Sequence, residues 1–172
     1  YLQIRPQAEK QVVDLLKKGR LSAGPWYVLN DNFLTHGEST IRNLLIGHRI
    51  ASRMGNVCNV GYLPDQFGNI SQLPQIFRGF GIDCALFGRG YGLKDGRRSE
   101  IEWKSPDGSS VFALFLLTWY NNFQRPRMPI KEAAKLIERE RERLVPHLTA
   151  PYVLLMNGCD HLDAQEDMPE II

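Results

Sequence analysis

The sequence has little of what usually assigns a chain to a class at once. Its 172 residues include only three cysteines. The cysteines lie far apart, at positions 58, 84 and 159, each in or just after an apolar run. This spacing argues against a disulfide framework and against a cysteine zinc site. We therefore expect three buried thiols, which are compatible with the cytoplasm.

Charge of one sign and long apolar runs are also missing. The formal net charge is only +2, and no block of one sign is long enough for a nucleic-acid or membrane-surface contact. The longest apolar run, residues 111–117, is far too short to span a bilayer, and no basic-then-apolar leader opens the chain. We expect a soluble, cytoplasmic protein with neither nucleic acid nor a membrane as partner. Its oligomeric state stays open, with a homo-oligomer among the alternatives.

The spacing of apolar residues alternates between the strand and helix patterns, over a length typical of one domain. The predicted strands are 26–29, 57–62, 83–87, 100–104, 111–117 and 152–156. The predicted helices are 6–18, 40–54, 71–79, 129–144 and the beginning of one at 163–172, with Ser39 and Ser71 as N-caps of the second and third. This order predicts an α/β fold with a parallel sheet and alternating helices, an incomplete (β/α) barrel. Strands 100–104 and 111–117 form a predicted hairpin around a Pro-Asp-Gly turn.

Several residues suited to chemistry follow the predicted strands. Loops at the carboxyl ends of parallel strands face the ligand crevice. The residues in these loops are Asp31, Asp65, Arg89, Trp119, Tyr120, Asp160 and His161. Glycoside hydrolysis with retention needs two carboxyl groups about 5–5.5 Å apart, which strand ends can supply. From the residues alone the alternatives stay open, since an aspartate in such a loop is often a cap and aromatic residues after a strand are often core.

Three ordered motifs carry a family resemblance. They read GESTIRNLLIGHRIAS at 37–52, GYLPDQFGNISQLPQIF at 61–77 and FGRG at 87–90. Together they resemble the catalytic domain of glycoside hydrolase family 38, the retaining α-mannosidases, over about residues 24–160. The resemblance implies that family's seven-stranded (β/α) barrel. It also implies hydrolysis of α-mannosidic bonds in an oligosaccharide or simple mannoside, through a covalent glycosyl-enzyme intermediate and with zinc.

The resemblance also implies roles for individual residues. Asp65 in PDQFG matches the nucleophile, which in the family also binds zinc, and Asp160 in NGCDH matches the general acid/base. Arg89 in FGRG matches a substrate-contacting arginine. A guanidinium near two carboxylates would help to keep the nucleophile ionised. The further residues expected to bind substrate are Asp31, Tyr120 and His161.

The chain departs from the family pattern at three points. Asn32 and Asn69 stand where the family has glutamate and histidine. Of the family's zinc ligands, a His-x-Asp pair, the nucleophile and a distant histidine, only Asp65 is present. We therefore expect residues 1–172 to be one segment of a single catalytic α/β domain. This segment would lack the first strand and everything after the acid/base loop, be inactive alone, and find its other zinc ligands elsewhere.

Two further functions are compatible with parts of this pattern. One is a catalytically silent carbohydrate-binding or regulatory relative of the same fold, motivated by the two asparagines and the missing ligands. The other is a zinc-dependent sugar deacetylase on a related barrel. A deacetylase would need paired histidines with an aspartate at helical spacing, and the four histidines of this chain lack that spacing.

Overall fold

The computed structural model describes residues 1–93, 96–126 and 129–172. Within these ranges the chain is a mixed α/β fold of four strands and five α-helices. The strands are β1 (Val60–Leu63), β2 (Cys84–Phe87), β3 (Glu100–Lys104) and β4 (Ser110–Phe115). The helices are α1 (Glu9–Lys17), α2 (Gly37–Met54), α3 (Leu73–Gly79), α4 (Ile130–Leu144) and α5 (Met168–Ile171), with short 3₁₀ turns at Pro6–Ala8 and Val145–His147.

The four strands form one sheet in the order β1-β2-β4-β3. β1, β2 and β4 are parallel, and their register aligns Leu63, Phe87 and Phe115 at the carboxyl ends. β3 pairs antiparallel with β4, which confirms the predicted hairpin, and β4 also pairs parallel with β2 in the main sheet. The prediction of a parallel α/β fold is confirmed, and within the described ranges the sheet is an open sector rather than a closed barrel.

The core lies where alternate strand residues meet the apolar faces of the helices. Leu63 of β1 and Leu73 and Phe77 of α3 are almost completely buried. Burying one such side chain stabilises the fold by about 1.5–3 kcal/mol. The shared burial of these three residues therefore stabilises the position of α3 on the sheet. The ten buried residues of the core cluster are Trp26, Leu44, Leu63, Leu73, Phe77, Ile82, Ala85, Phe87, Val111 and Ala113. None of the helices in the described ranges is long and apolar enough to cross a membrane.

The prediction of a strand at 26–29 is wrong, because the side chain of Asn43 takes the hydrogen bonds that a neighbouring strand would make. The Tyr27 and Val28 amides both donate to Asn43 Oδ1, at 2.8 and 3.1 Å. Asn43 Nδ2 in turn donates to the Val28 carbonyl at 2.7 Å. The segment is therefore held on α2, bends at Tyr27 and Val28, and forms no ladder with β1.

The prediction of a strand at 152–156 is wrong for the same kind of reason. The Met156 amide donates to Asn122 Oδ1 at 2.8 Å, and Asn122 Nδ2 donates to the Leu154 carbonyl at 3.0 Å. The Phe123 amide donates to the Met156 carbonyl at 3.0 Å. The loop that follows β4 thus satisfies this backbone, so residues 152–156 lie against a loop and not in the sheet.

The predicted helix caps also differ from the structure. α2 begins at Gly37, and its N-cap is His36, whose Nδ1 accepts a hydrogen bond from the Glu38 amide at 3.2 Å. Ser39 therefore lies inside the first turn, where its amide already bonds the His36 carbonyl. α3 begins after Gln72 without a side-chain cap, and Ser105 Oγ instead accepts the Gln75 amide at 2.9 Å.

The cysteines are free, as expected, but they are less buried than predicted. Cys58, Cys84 and Cys159 are all half-buried. The thiol of Cys84 lies close to the Asn59 carbonyl, at 3.7 Å. Their positions at strand ends and in loops, rather than in the middle of strands, leave one side of each residue toward solvent.

Candidate active site

The ends of β1 and β2 approach each other closely and thereby place Asp65. The Gly88 amide, just after β2, donates to the Leu63 carbonyl at 3.1 Å. A Cβ atom at Gly88 would lie 2.1 Å from the Pro64 carbonyl oxygen, so only glycine permits this approach. The loop that carries Asp65 is therefore held against the segment that carries Arg89.

Arg89 binds the Asp65 carboxylate through one of its two oxygens. Its Nε donates to Asp65 Oδ1 at 2.6 Å and to the Asp65 carbonyl at 3.2 Å, and its Nη2 also pairs with Oδ1. Both side chains are about one-third exposed, at 37% and 35%. Among the described residues no donor reaches Asp65 Oδ2, so this oxygen is available to a ligand.

Two aromatic rings contact the Arg89 guanidinium. Its central carbon lies 4.3 Å from the centre of the Phe67 ring and 4.8 Å from that of Trp119. The Phe67 amide donates to Asp31 Oδ1 at 2.8 Å. Asp31 thus holds the loop that carries Asp65, and this hydrogen bond occupies one of the two carboxylate oxygens of Asp31. The role of Asp31 as a substrate contact stays a prediction.

Asp160 lies at the other side of the candidate site and is exposed. Tyr120, which follows β4, donates its hydroxyl to Asp160 Oδ1 at 2.9 Å. Burial, this hydrogen bond and the negative charges of Asp65 and Asp160 raise the pKa of Tyr120 to about 12. Burial and the charge of Asp160 also raise the pKa of Tyr62 on β1. The two carboxylates therefore act on a common group.

A cleft of about 540 Å³ opens beside these residues. Tyr62 of β1 and Pro64, which follows β1, line this cleft, and Tyr120 and Asp160 contribute polar groups to it. Leu29 and the segment 154–159 complete the lining. His161 is exposed next to this cleft, so its predicted contact with substrate stays a prediction.

The sequence did not reveal the partners of Arg89. The sequence pattern assigns no role to Phe67, and it leaves Trp119 either in the ligand crevice or in the core. The structure instead places both rings against the guanidinium. The only signal in the sequence is that Phe67 and Trp119 each follow a strand of the parallel sheet within a few residues, as Arg89 does.

The residues present do not by themselves fit a zinc ion. Zinc sites in proteins use three or four nitrogen, sulfur or carboxylate ligands. Within 1–93, 96–126 and 129–172, no group of three or more His, Cys, Asp or Glu side chains is arranged to hold a metal. Asp65 offers one carboxylate, one oxygen of which is already paired with Arg89.

Comparison with known proteins decides the family. The profile described as the N-terminal domain of glycosyl hydrolases family 38 matches residues 1–171. The chain belongs to this family. Among curated members, "Putative mannosylglycerate hydrolase" from Halalkalibacterium halodurans is 36% identical over 184 residues, which cover 100% of this chain and 20% of that protein. Human "Alpha-mannosidase 2C1" is 40% identical over 95 residues, 54% of this chain and 9% of that protein.

Solved family 38 structures share the fold. The crystal structure of an alpha-mannosidase from Enterococcus faecalis V583 superposes with a TM-score of 0.94 at 34% identity, over 100% of this chain and 20% of that one. A second family 38 structure from Enterococcus faecalis gives a TM-score of 0.75 at 30% identity, over 94% of this chain and 17% of that one. The chain thus spans about one-fifth of the length of those relatives whose match covers all of it. The family resemblance of its motifs is confirmed.

Proposed function

We propose that the whole protein is a retaining α-mannosidase and that residues 1–172 supply both of its catalytic carboxyl groups. The observation that carries this proposal is the arrangement around Tyr120. Its hydroxyl bonds Asp160, while the charges of Asp65 and Asp160 both act on it. Relatives named as mannosidases and as a mannosylglycerate hydrolase support an α-mannoside as substrate.

In the first step, Asp65 is the nucleophile. Arg89 holds Oδ1, so Oδ2 attacks the anomeric carbon of the mannosyl unit. The bond between that carbon and the leaving oxygen breaks, and Asp160 gives its proton to the leaving oxygen. The products are a mannosyl ester of Asp65, a neutral alcohol and the Asp160 carboxylate.

In the second step, the roles of Asp160 reverse. Its carboxylate takes a proton from water as the water oxygen attacks the anomeric carbon, and the ester bond to Asp65 breaks. This step releases mannose with its original anomeric configuration and restores both side chains. Tyr120 remains bonded to Asp160 Oδ1 and so leaves the other oxygen for proton transfer.

The proposed substrate-binding residues for the mannosyl unit are Arg89, Asp31, Tyr120 and His161. We propose that they orient it, with Arg89 and Tyr120 doing so through the side chains they fix. Zinc is proposed for the whole protein only, with Asp65 as one ligand. We propose that the remaining ligands come from outside the described residues, which supply no three-donor group.

We also propose that residues 1–172 are one segment of a single catalytic domain, in keeping with the one-fifth share of the relatives that the chain covers. The substrate partner is a mannose-containing oligosaccharide or simple mannoside, and we propose neither nucleic acid nor a membrane as a partner. The free thiols favour a cytoplasmic location. A homo-oligomer is compatible with this proposal and is not required by it.

Covalent trapping tests the proposed function. The full-length protein is treated with a fluorinated α-mannosyl substrate, which slows the second step, and the labelled peptide is identified by mass spectrometry. We expect the label on Asp65, and we expect Asp65→Ala to lower turnover by on the order of 10³-fold or more. If Asp65 only capped a turn, the same change would cost about 1 kcal/mol of stability and leave turnover largely intact.

Asp83→Ala is the matched control, because Asp83 is exposed and lies just before β2, at the end of the sheet away from the site. It should label as the wild type does. A label on another residue, or inversion at the anomeric carbon seen by NMR, would contradict the proposed mechanism. Sugar binding without any label or turnover would favour the catalytically silent relative instead.

A further inference from the structure

Trp119 has a role that the family motifs do not assign. We infer that Trp119 is a positioning residue for Asp65 and acts through Arg89, an inference that rests on the proposed function. The centre of its ring lies 4.8 Å from the guanidinium carbon of Arg89. Arg89 in turn donates to Asp65 Oδ1 at 2.6 Å. The Trp119 ring therefore contacts Arg89, which is the only described side chain that binds the Asp65 carboxylate.

The backbone of Trp119 supports this role. Its φ angle is +76°, in the left-handed region that residues with a Cβ atom rarely adopt. Such a conformation persists where the surrounding structure requires it, and it is concentrated at functional sites. The Trp119 amide donates to the Leu116 carbonyl at 3.0 Å, which closes a tight turn directly after β4. This turn brings the indole to Gly88 and Arg89, since a Cβ built on Gly88 would lie 3.4 Å from Trp119 Cζ3.

The same turn places two adjacent side chains next to different partners. Trp119 contacts the arginine that holds Asp65, whereas Tyr120 bonds Asp160 directly at 2.9 Å. The two rings are themselves tilted against each other, with centres 5.2 Å apart. A dipeptide in an ordinary extended conformation would point its side chains to opposite faces of the sheet. The left-handed turn allows both side chains to reach the site.

A long arginine side chain is mobile unless its guanidinium is held, and only a held guanidinium fixes a carboxylate. Phe67 and Trp119 both contact it, and Phe67 is itself tied to Asp31 through its amide. Of the two rings, Trp119 is the one whose residue lies outside the Asp65 loop. Its removal therefore tests the support of Arg89 without changing the loop that carries the nucleophile.

The test compares Trp119→Leu with Tyr120→Phe in the full-length protein on two substrates. One is an aryl α-mannoside with a good leaving group, and the other is an alkyl α-mannoside with a poor one. A misplaced nucleophile slows attack on both substrates, so Trp119→Leu should lower kcat/KM for both by a similar factor of about 10- to 100-fold. A disturbed acid matters most for the poor leaving group, so Tyr120→Phe should lower the alkyl mannoside rate more.

Tyr91→Leu is the matched control. Tyr91 also contacts an arginine, Arg97, with 5.7 Å between the guanidinium carbon and the ring centre, but this pair does not touch Asp65. Tyr91→Leu should leave kcat/KM within about twofold of the wild type on both substrates. Trp119→Phe, which keeps a smaller ring, should recover most of the rate; it replaces Trp119→Leu if that variant does not fold, with a loss of a few-fold on both substrates.

Two outcomes of the kinetic comparison would overturn the inference, and a third test uses covalent labelling. A rise in KM with unchanged kcat would show that Trp119 binds substrate, and a loss confined to the alkyl mannoside would show that it acts on Asp160. The rate of covalent labelling separates this inference from the proposed function. Label on Asp65 at the wild-type rate in Trp119→Leu refutes the inference alone, whereas label on another residue in the wild type refutes the proposed function.

Discussion

The two proposed catalytic aspartates differ in the charge of their nearest partner. Asp65 is held by the positive guanidinium of Arg89, and Asp160 accepts a hydrogen bond from the neutral hydroxyl of Tyr120. The proposed mechanism gives the two aspartates different tasks, since one attacks the anomeric carbon and the other transfers a proton to the leaving oxygen. Arg89 and Tyr120 each bond one carboxylate oxygen, Oδ1, and so leave the other oxygen for that task.

His48 is the residue whose protonation should affect stability. It lies on α2 with its ring centre 5.1 Å from that of Phe80, and no described residue bonds its buried Nε2. Burial lowers the pKa of His48 below its ordinary value of 6.5. The folded state therefore favours the neutral ring, and the unfolded chain binds the proton more readily.

The pH dependence follows from this sign. The contribution of His48 to stability is fully present above pH 6.5 and is lost as the pH falls from 6.5 toward the lowered pKa of the folded state. We expect the free energy of unfolding in urea to fall between pH 7.5 and pH 5.5, and His48→Gln to remove most of this fall. The acidic groups with lowered pKa values, Glu100, Glu102 and Glu138, titrate below this window. An equal fall in His48→Gln would contradict the assignment.

At the scale of elements, the site depends on how closely loops and strands can approach. β2 ends against the loop that follows β1, and a Cβ at Gly88 would lie 2.1 Å from the Pro64 carbonyl oxygen. Gly47 of α2 makes a similar approach, where a Cβ would lie 2.1 Å from the Pro25 carbonyl oxygen. In both places a side chain of any size would have to displace backbone.

Gly88→Ala should therefore move the Asp65 loop. We expect a loss of about 1–3 kcal/mol in the free energy of unfolding, the usual cost of overpacking. Because a misplacement of about 1 Å can cost on the order of 100-fold in rate, we also expect a marked loss of turnover. Urea unfolding and steady-state kinetics on the full-length protein measure the two effects.

Gly79→Ala provides the comparison for this variant. Gly79 ends α3, and a Cβ there would meet nothing within 4 Å. Alanine at a compatible position reduces the entropy of the unfolded chain, so this variant should be neutral or more stable by up to about 1 kcal/mol. Equal stability of the two variants would show that the approach of β2 to the Asp65 loop is not tight.

At the scale of the whole molecule, the described structure is an open sheet that carries part of the candidate active site. Exposed apolar side chains lie beside β1, where Tyr27, Val28 and Leu29 are 58%, 55% and 52% exposed. The chain covers about one-fifth of the family members that match it throughout. Both findings agree with the proposal that other parts of the protein complete the catalytic domain.

Zinc binding tests this proposal. Residues 1–172 alone should not hold zinc tightly, because the described ranges contain no group of three metal-binding side chains and Asp65 is paired with Arg89. Isothermal titration of the isolated chain with zinc should give no tight one-to-one isotherm. The full-length protein, titrated after removal of its metal, is the comparison and should bind tightly. A tight site in the isolated chain would mean that its own residues supply the ligands.

The sequence could predict what depends on neighbouring residues. The placement of Asp65 between β1 and α3, the hairpin of β3 and β4 and the alternation of strands and helices follow from local spacing and turn chemistry. The strands predicted at 26–29 and 152–156 were wrong because Asn43 and Asn122, distant in the sequence, bond those backbones. A local sequence pattern cannot predict hydrogen bonds from side chains that are distant in the sequence.

By itself the sequence determined the family, the α/β order and the place of Asp65 just after β1. Only the tertiary structure decided which side chain holds each aspartate. Arg89 is 24 residues from Asp65, and Tyr120 is 40 residues from Asp160. The first pair forms because the parallel strands β1 and β2 end at one edge of the sheet. The second pair forms across two loops, where Trp119 turns the chain after β4 in a left-handed conformation. Strand register and such a turn are fixed by packing across the whole sheet, which no short stretch of sequence specifies.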